Sequence, residues 1–232
     1  DNFTTIEAAV EEGRGVYDNL MKFITWILPT NFGQGLVIMV AVIAGTILPV
    51  LPVQVLWINM TTAVLMGLML AFEPKEPGIM KRPPRDMKKP ILTGLLFIRI
   101  AVVGVMLCTA AFVLFHLTLD AGESEAVART IAVNTFAIGQ LFYLFNCRSL
   151  HHSMFQVGLF SNHFIIVGVI LMILVQLAFT YLPFMNTAFR SEPISLVQWG
   201  YCIGVGMFIY VSVEMEKIIR NKYLQRIPFF RG

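Results

Sequence analysis

Charge is scarce in this sequence. Of 232 residues only 13% are Asp, Glu, Lys or Arg, while 57% are hydrophobic. A soluble domain carries about a quarter charged residues, so that class is excluded. Between Phe23 and Phe72 there is no Asp, Glu, Lys, Arg or His at all. Cysteine is rare as well. Cys108, Cys147 and Cys202 are an odd set beside apolar runs, without metal-ligand spacing. They exclude a disulfide framework and read as small core residues. The alternating ten-residue segments of a membrane β-barrel are missing. So are repeats, low-complexity tracts, a phosphate-binding loop, a hydrolytic triad and a zinc ligand set. No catalytic residue, resident metal or nucleic-acid partner is therefore expected. There is no basic stretch leading into an apolar one at the start, as a secretory signal would have. The first residue is Asp1 rather than Met, inside a polar segment, and the chain is expected to be a fragment.

What is present is long apolar runs. They predict an all-α fold, a polytopic helical membrane bundle of about six transmembrane helices. Residues 23–72 form the centre of this reading. They make a hairpin whose two arms each hold the roughly 20 apolar residues that a bilayer core requires. The arms are joined at Leu48-Pro49-Val50-Leu51-Pro52. Spans are predicted at about 23–48, 53–72, 91–117, 126–145, 164–182 and 196–213. Residues 1–22 are polar with an amphipathic rhythm and read as a cytosolic stalk, with a capping-box start at Thr4-Thr5-Ile6-Glu7. Residues 73–90 form a basic, proline-rich loop, residues 91–216 a supporting four-helix unit, and residues 217–232 a basic tail. Arg99, early in the third span, is expected to reach back to the headgroups. The 73–90 loop holds Lys75, Lys81, Arg82, Arg85, Lys88 and Lys89, and the loops on the other side only Arg129 and Arg190. By the positive-inside bias both termini are cytosolic.

The polar residues within the spans are candidates for function. Asn31 and Gln34 are three apart in the first arm, as are Asn59 and Thr62 in the second, so each pair shares a helix face. Their neutral oxygens, with backbone carbonyls freed by Pro29, could line a cation path across the hairpin. Equally, they could be interhelical hydrogen bonds that hold the bundle together. Gln140 is open to the same two readings. No carboxylate lies in either arm, which makes the hairpin alone a poor calcium site. His151 and His152, adjacent in a connector, read as solvated.

Three stretches carry a family resemblance. Asp1-Asn2-Phe3, with Ile6 through Asn19 (Ile-Glu-Ala-Ala-Val-Glu-Glu-Gly-Arg-Gly-Val-Tyr-Asp-Asn), resembles the segment of P-type cation-transporting ATPases that becomes their fifth transmembrane helix. Val53-Gln54-Val55-Leu56-Trp57-Ile58-Asn59 resembles the start of their sixth helix, and Met80-Lys81-Arg82-Pro83-Pro84-Arg85 the loop after it. The likeness extends over the chain as helices five to ten and is most specific over residues 1–90. In the calcium-pump branch the ligand patterns are Asn-x-x-Glu and Asn-x-x-Thr-Asp. The matching positions here are Asn31-x-x-Gln34 and Asn59-x-x-Thr62-Ala63, and the acid of the eighth helix falls at Gln140. Every acid is replaced by a neutral residue. The resemblance implies an ATP-driven cation pump using Mg²⁺ and an aspartyl-phosphate. Its partners would be the transported cation, the lipid bilayer, and cytosolic phosphorylation, nucleotide-binding and actuator domains of the same protein. It also implies a multi-pass location, expected here in a bacterial cell membrane. The rival readings are a free-standing six-helix channel or secondary transporter, and a non-transporting membrane subunit.

Overall fold

A computed structural model describes residues 3–76, 78–81, 83–84, 91–150, 158 and 161–223. Six of its helices are long and apolar enough to cross a membrane, and there is no strand among the described residues. The all-α bundle of six spans is therefore what the chain forms. Much of the basic loop, the tail beyond Tyr223 and the His151-His152 pair lie outside the described residues.

Helix α1 (Phe3–Ala44) runs unbroken through the polar segment and the first span. Thr4 is already helical, so the capping box expected there is not used. The helix stops four residues short of Leu48 for a local reason. Gly45 takes a φ of 63°, Gly45 N–H donates to Val42 O at 3.2 Å, and Thr46 N–H donates to Ala41 O at 3.0 Å. That pair of bonds is the Schellman ending, which glycine adopts without steric cost.

Helix α2 (Pro52–Thr62) begins with proline at its first position, where no N–H is needed, and with Gln54 Oε1 accepting from Leu51 N–H at 2.9 Å. Its winding then changes to a π-helical stretch (Ala63–Gly67) and a 3₁₀ stretch (Leu68–Phe72). Two features explain the change. Thr61 and Thr62 hydroxyls donate back to Trp57 O and Ile58 O, each at 2.7 Å, a pattern that bends helices. The π stretch is also pressed against the fifth span, where a Cβ on Gly168 would lie 2.1 Å from Leu65 O.

Helices α3 (Gly94–Asp120) and α4 (Glu125–Cys147) are capped by the side chains of Thr93 and Ser124. Helix α5 (His163–Tyr181) is capped by Asn162, and a short α6 (Pro183–Phe189) leads to α7 (Leu196–Tyr223). The most apolar window of α4 is 83% buried, against 22–39% for the other spans. So α4 is the central post and the others face outward with exposed Ile, Leu, Val and Phe, as lipid requires. Small residues on α4 (Ala128, Ala132, Ala137, Gly139) let its neighbours approach. Arg99 is a correction. It is buried and paired with Glu216 of α7 rather than extended to the headgroups, because a carboxylate within reach holds a guanidinium better than the membrane surface does.

The tight approach at Gly168 gives a direct test. Gly168→Ala should destabilise the complete polypeptide by ~1–3 kcal/mol, since backbone rather than a flexible side chain would have to move. Gly204→Ala, in α7 with nothing within 4 Å, should be neutral or stabilising by up to ~1 kcal/mol. Thermal unfolding of both variants in one detergent decides it.

Candidate functional site

Residues three apart on a helix differ by about 60° around its axis, enough to divide a pair between two environments. Asn31 and Gln34 are divided in this way: Asn31 is exposed and Gln34 is buried. Asn59 is half-buried, and Thr62 is buried with its hydroxyl committed to Ile58 O. Gln140, on α4, is fully enclosed.

The two glutamines stand apart from the remaining polar side chains. Both carboxamide atoms of Gln34 and both of Gln140 lack a hydrogen-bond partner among the described residues. No other described side chain leaves two buried polar atoms unmatched. Each unmatched atom costs ~1–3 kcal/mol when no water or ligand reaches it. A few residues away on α4 and α5 the opposite holds. Asn134 Nδ2 donates to Thr180 Oγ1 at 3.2 Å, and Gln176 Nε2 donates to Asn134 Oδ1 at 2.9 Å. Those amides are interhelical fasteners; Gln34 and Gln140 are not used that way here.

Three contacts fix the helices that carry them. The Trp26 indole N–H donates to the backbone carbonyl of Gln140 at 3.0 Å, joining α1 to α4. Gln34 follows two turns further along α1. Beside it, Gly33 meets Gly104 of α3 so closely that a Cβ on Gly33 would lie 3.0 Å from Gly104 O. The third contact is at Pro29. Proline has no N–H, so the carbonyl four residues earlier, Thr25 O, loses its helical donor. The sequence reading offered such a freed carbonyl to a cation. In the structure the Tyr143 hydroxyl of α4 donates to Thr25 O at 2.9 Å, within a fully buried environment. The next carbonyls, Trp26 O and Ile27 O, receive the Thr30 hydroxyl at 3.2 and 2.9 Å. Tyr143 was not among the residues singled out from sequence. Its signal would have been a lone buried tyrosine requiring an acceptor near a proline one helix away.

Among the described residues no three His, Cys, Asp or Glu side chains gather as a metal site. What the arrangement offers is neutral oxygen: two carboxamides buried between helices, with Asn59 and the accepting lone pairs of the Thr62 hydroxyl on α2. Such groups suit partial dehydration of a cation rather than bond-making chemistry.

Comparison with known proteins follows the same lines. Residues 47–219 match the family model described as "Cation transporting ATPase, C-terminus". The chain is 52% identical, over 94% of its length, to "Probable cation-transporting ATPase F" of Mycobacterium tuberculosis. It is 36% identical over 88% of its length to "Cation-transporting ATPase pma1" of Synechocystis, and 34% identical over 96% to "Calcium-transporting ATPase" of Bacillus subtilis. It spans about a quarter of the length of these relatives, 23–25%.

The Tyr143 contact is testable by a double-mutant cycle. Tyr143→Phe should cost ~1–3 kcal/mol, the penalty for leaving a buried carbonyl unmatched. With Pro29→Ala, which restores an N–H to Thr25 O, the same Tyr143→Phe change should cost clearly less. Equal costs in both backgrounds, read by detergent unfolding, would show that Tyr143 does not serve the vacated carbonyl.

Proposed function

The chain belongs to the cation-transporting ATPase C-terminus family, the membrane portion that closes P-type ATPases, and from that premise we propose that it lines the cation path of an ATP-driven pump. It is an integral, multi-pass membrane protein, and family membership disfavours a free-standing channel. In this reading residues 23–72 carry the path, residues 1–22 connect it to the phosphorylation domain, and residues 91–216 support it. The 73–90 loop, the 217–232 tail and both termini face the cytosol, in keeping with their basic residues. A bacterial cell membrane is the proposed location, in line with the mycobacterial relatives.

The observation that carries the reading is the pair of unmatched buried amides, Gln34 and Gln140. They fall at positions where the calcium-pump branch has acids, and among the described residues they are the two side chains that leave both atoms of a buried amide unmatched. A passing cation would supply what their oxygens lack. Asn31, exposed in this chain, and half-buried Asn59 would face helices contributed by the rest of the polypeptide. With no carboxylate in the set, the ligands favour a singly charged or weakly hydrated cation, or fewer ions per cycle. Some relatives bear calcium in their names. For this chain, calcium would require an acid from the remainder of the pump. ATP and Mg²⁺ would act in that remainder too. The described residues offer Mg²⁺ no carboxylate cluster, and this chain's part is the path and its mechanical attachment.

Gln34→Ala and Gln140→Ala in the complete pump should each raise the cation concentration for half-maximal ATP hydrolysis about tenfold, ~1.4 kcal/mol. Gln34→Glu should shift preference toward divalent ions. The measurement is ATPase activity titrated with Na⁺, K⁺, Mn²⁺ and Ca²⁺. Wild-type titration curves from both alanine variants would remove these residues from the path.

A further inference from the structure

Among the described residues the most enclosed ion pair joins the ends of the second and fourth spans. Arg148, just past the end of α4, is wholly buried, and Glu73, directly after the 3₁₀ stretch of the second span, is 4% exposed. Arg148 Nε donates to Glu73 Oε1 at 3.0 Å and Nη2 lies 2.9 Å from the same oxygen. The guanidinium also donates to Gly158 O at 3.2 Å and to Ser161 Oγ at 2.6 Å. Glu73 Oε2 accepts from Asn162 Nδ2 at 2.8 Å, and Asn162 Oδ1 caps α5 by accepting from Phe164 N–H at 3.0 Å. On its other side, the Glu73 backbone carbonyl accepts from Asn19 Nδ2 of α1 at 2.8 Å, an amide that also reaches Ala71 O at 3.1 Å. Glu73 thus joins four of the six spans: α1, α2, α4 and α5.

Stability is a weak reason for such a pair. Removing two ions from water offsets most of their attraction, and apolar replacements of buried pairs are often neutral. Hydrogen bonds add direction, which apolar contact does not supply. Direction matters here because the segment between Glu73 and Thr62 is wound as π and 3₁₀ turns rather than as α-helix. At its other end α2 is held by Gln54 Nε2, which donates to Phe189 O at 2.9 Å, and Glu73 fixes the end of the irregular segment beyond Asn59 and Thr62.

We propose that Glu73 and Arg148 are positioning residues of the transport cycle, clamping the end of the second span to α4 and α5. Displacement of the first turns of α1, delivered through Asn19, then moves Asn59 and Thr62 instead of being lost as slippage between helices. The proposal rests on the pump reading above and adds the point at which force enters the hairpin.

The test uses the complete pump in sealed vesicles, with transported cations counted per ATP hydrolysed. The variant Glu73→Met/Arg148→Met removes both charges of the pair together, so neither is left without the other. It should hydrolyse ATP with cation stimulation within about threefold of wild type, yet carry at least fivefold fewer ions per ATP. Lys75→Met serves as the control in the same loop. The Lys75 ammonium, held above its ordinary pKa chiefly by its hydrogen bond to Glu12, pairs with Glu11 and Glu12 at the surface, and its loss should leave the ratio unchanged. If the double variant does not fold, Glu73→Gln, which keeps the shape and an acceptor for Asn162, should show the same fall in ratio. A wild-type ratio in the folded variant overturns the clamp while leaving the pump reading intact. Wild-type vesicles that take up no cation with ATP would overturn the pump reading and the clamp with it.

Discussion

A helix walled in by other helices inside a bilayer has no water to receive its polar groups, and α4 is that helix. The rest of the bundle is arranged to meet its demands. Thr130 and Thr135 turn their hydroxyls back to Ala126 O and Ile131 O. Asn134 is fastened to Thr180 and Gln176, and Asn146 donates to Glu214 and to Tyr210 O. Tyr143 finds the one carbonyl of α1 that a proline has vacated. Against that record Gln140 is the exception, with both amide atoms unmatched on the most enclosed helix. Asn146 and Gln176 also leave one oxygen each unmatched, but both donate across helices, whereas the Gln140 carboxamide makes no hydrogen bond among the described residues.

The same economy separates bonded amides from unmatched ones more sharply than residue type does. Asn134, Gln176 and Gln34 are all buried amides in membrane spans. The first two spend their hydrogen bonds across α4 and α5, while Gln34 spends none. Gly33 against Gly104 brings the α1 and α3 backbones together one residue from buried Gln34.

The class of fold was legible because charge is absent from residues 23–72 and lipid tolerates little else. The ends of the helices were partly legible: the starts read at about 53 and 126 fall within a residue of Pro52 and Glu125, whereas the stop at Gly45 was read as late as Leu48. The winding change after Thr62 was not legible, since it depends on Leu65 meeting Gly168 of another span. Pairing of Arg99 with Glu216 was hidden for a similar reason, the two being 117 residues apart in sequence. For the candidate path, sequence identified Gln34 and Gln140 but could not set them apart from Asn31. A spacing of three places residues on one side of a helix without saying where the boundary of burial falls. Tyr143 and the Glu73–Arg148 pair were missed because their importance lies in a partner on a different helix.

The neutral character of the proposed path bears on what could pass. The cost of stripping water from an ion grows with the square of its charge, whereas its attraction to a fixed dipole grows only in proportion. Carboxamides and hydroxyls therefore lose ground to water faster than carboxylates do as the ion becomes more highly charged. If Gln34, Gln140, Asn59 and Thr62 line the path as proposed, the balance moves toward monovalent cargo, unless an acid enters from the part of the polypeptide outside this chain. Relatives of this chain include pumps named for calcium and pumps named only for cations. A scaffold that fixes geometry through backbone contacts, such as Trp26 to Gln140 and Tyr143 to Thr25, leaves the ligand side chains free to differ. Selectivity can then change by substitution at these few positions, while the clamp at Glu73 and the central post α4 stay as they are.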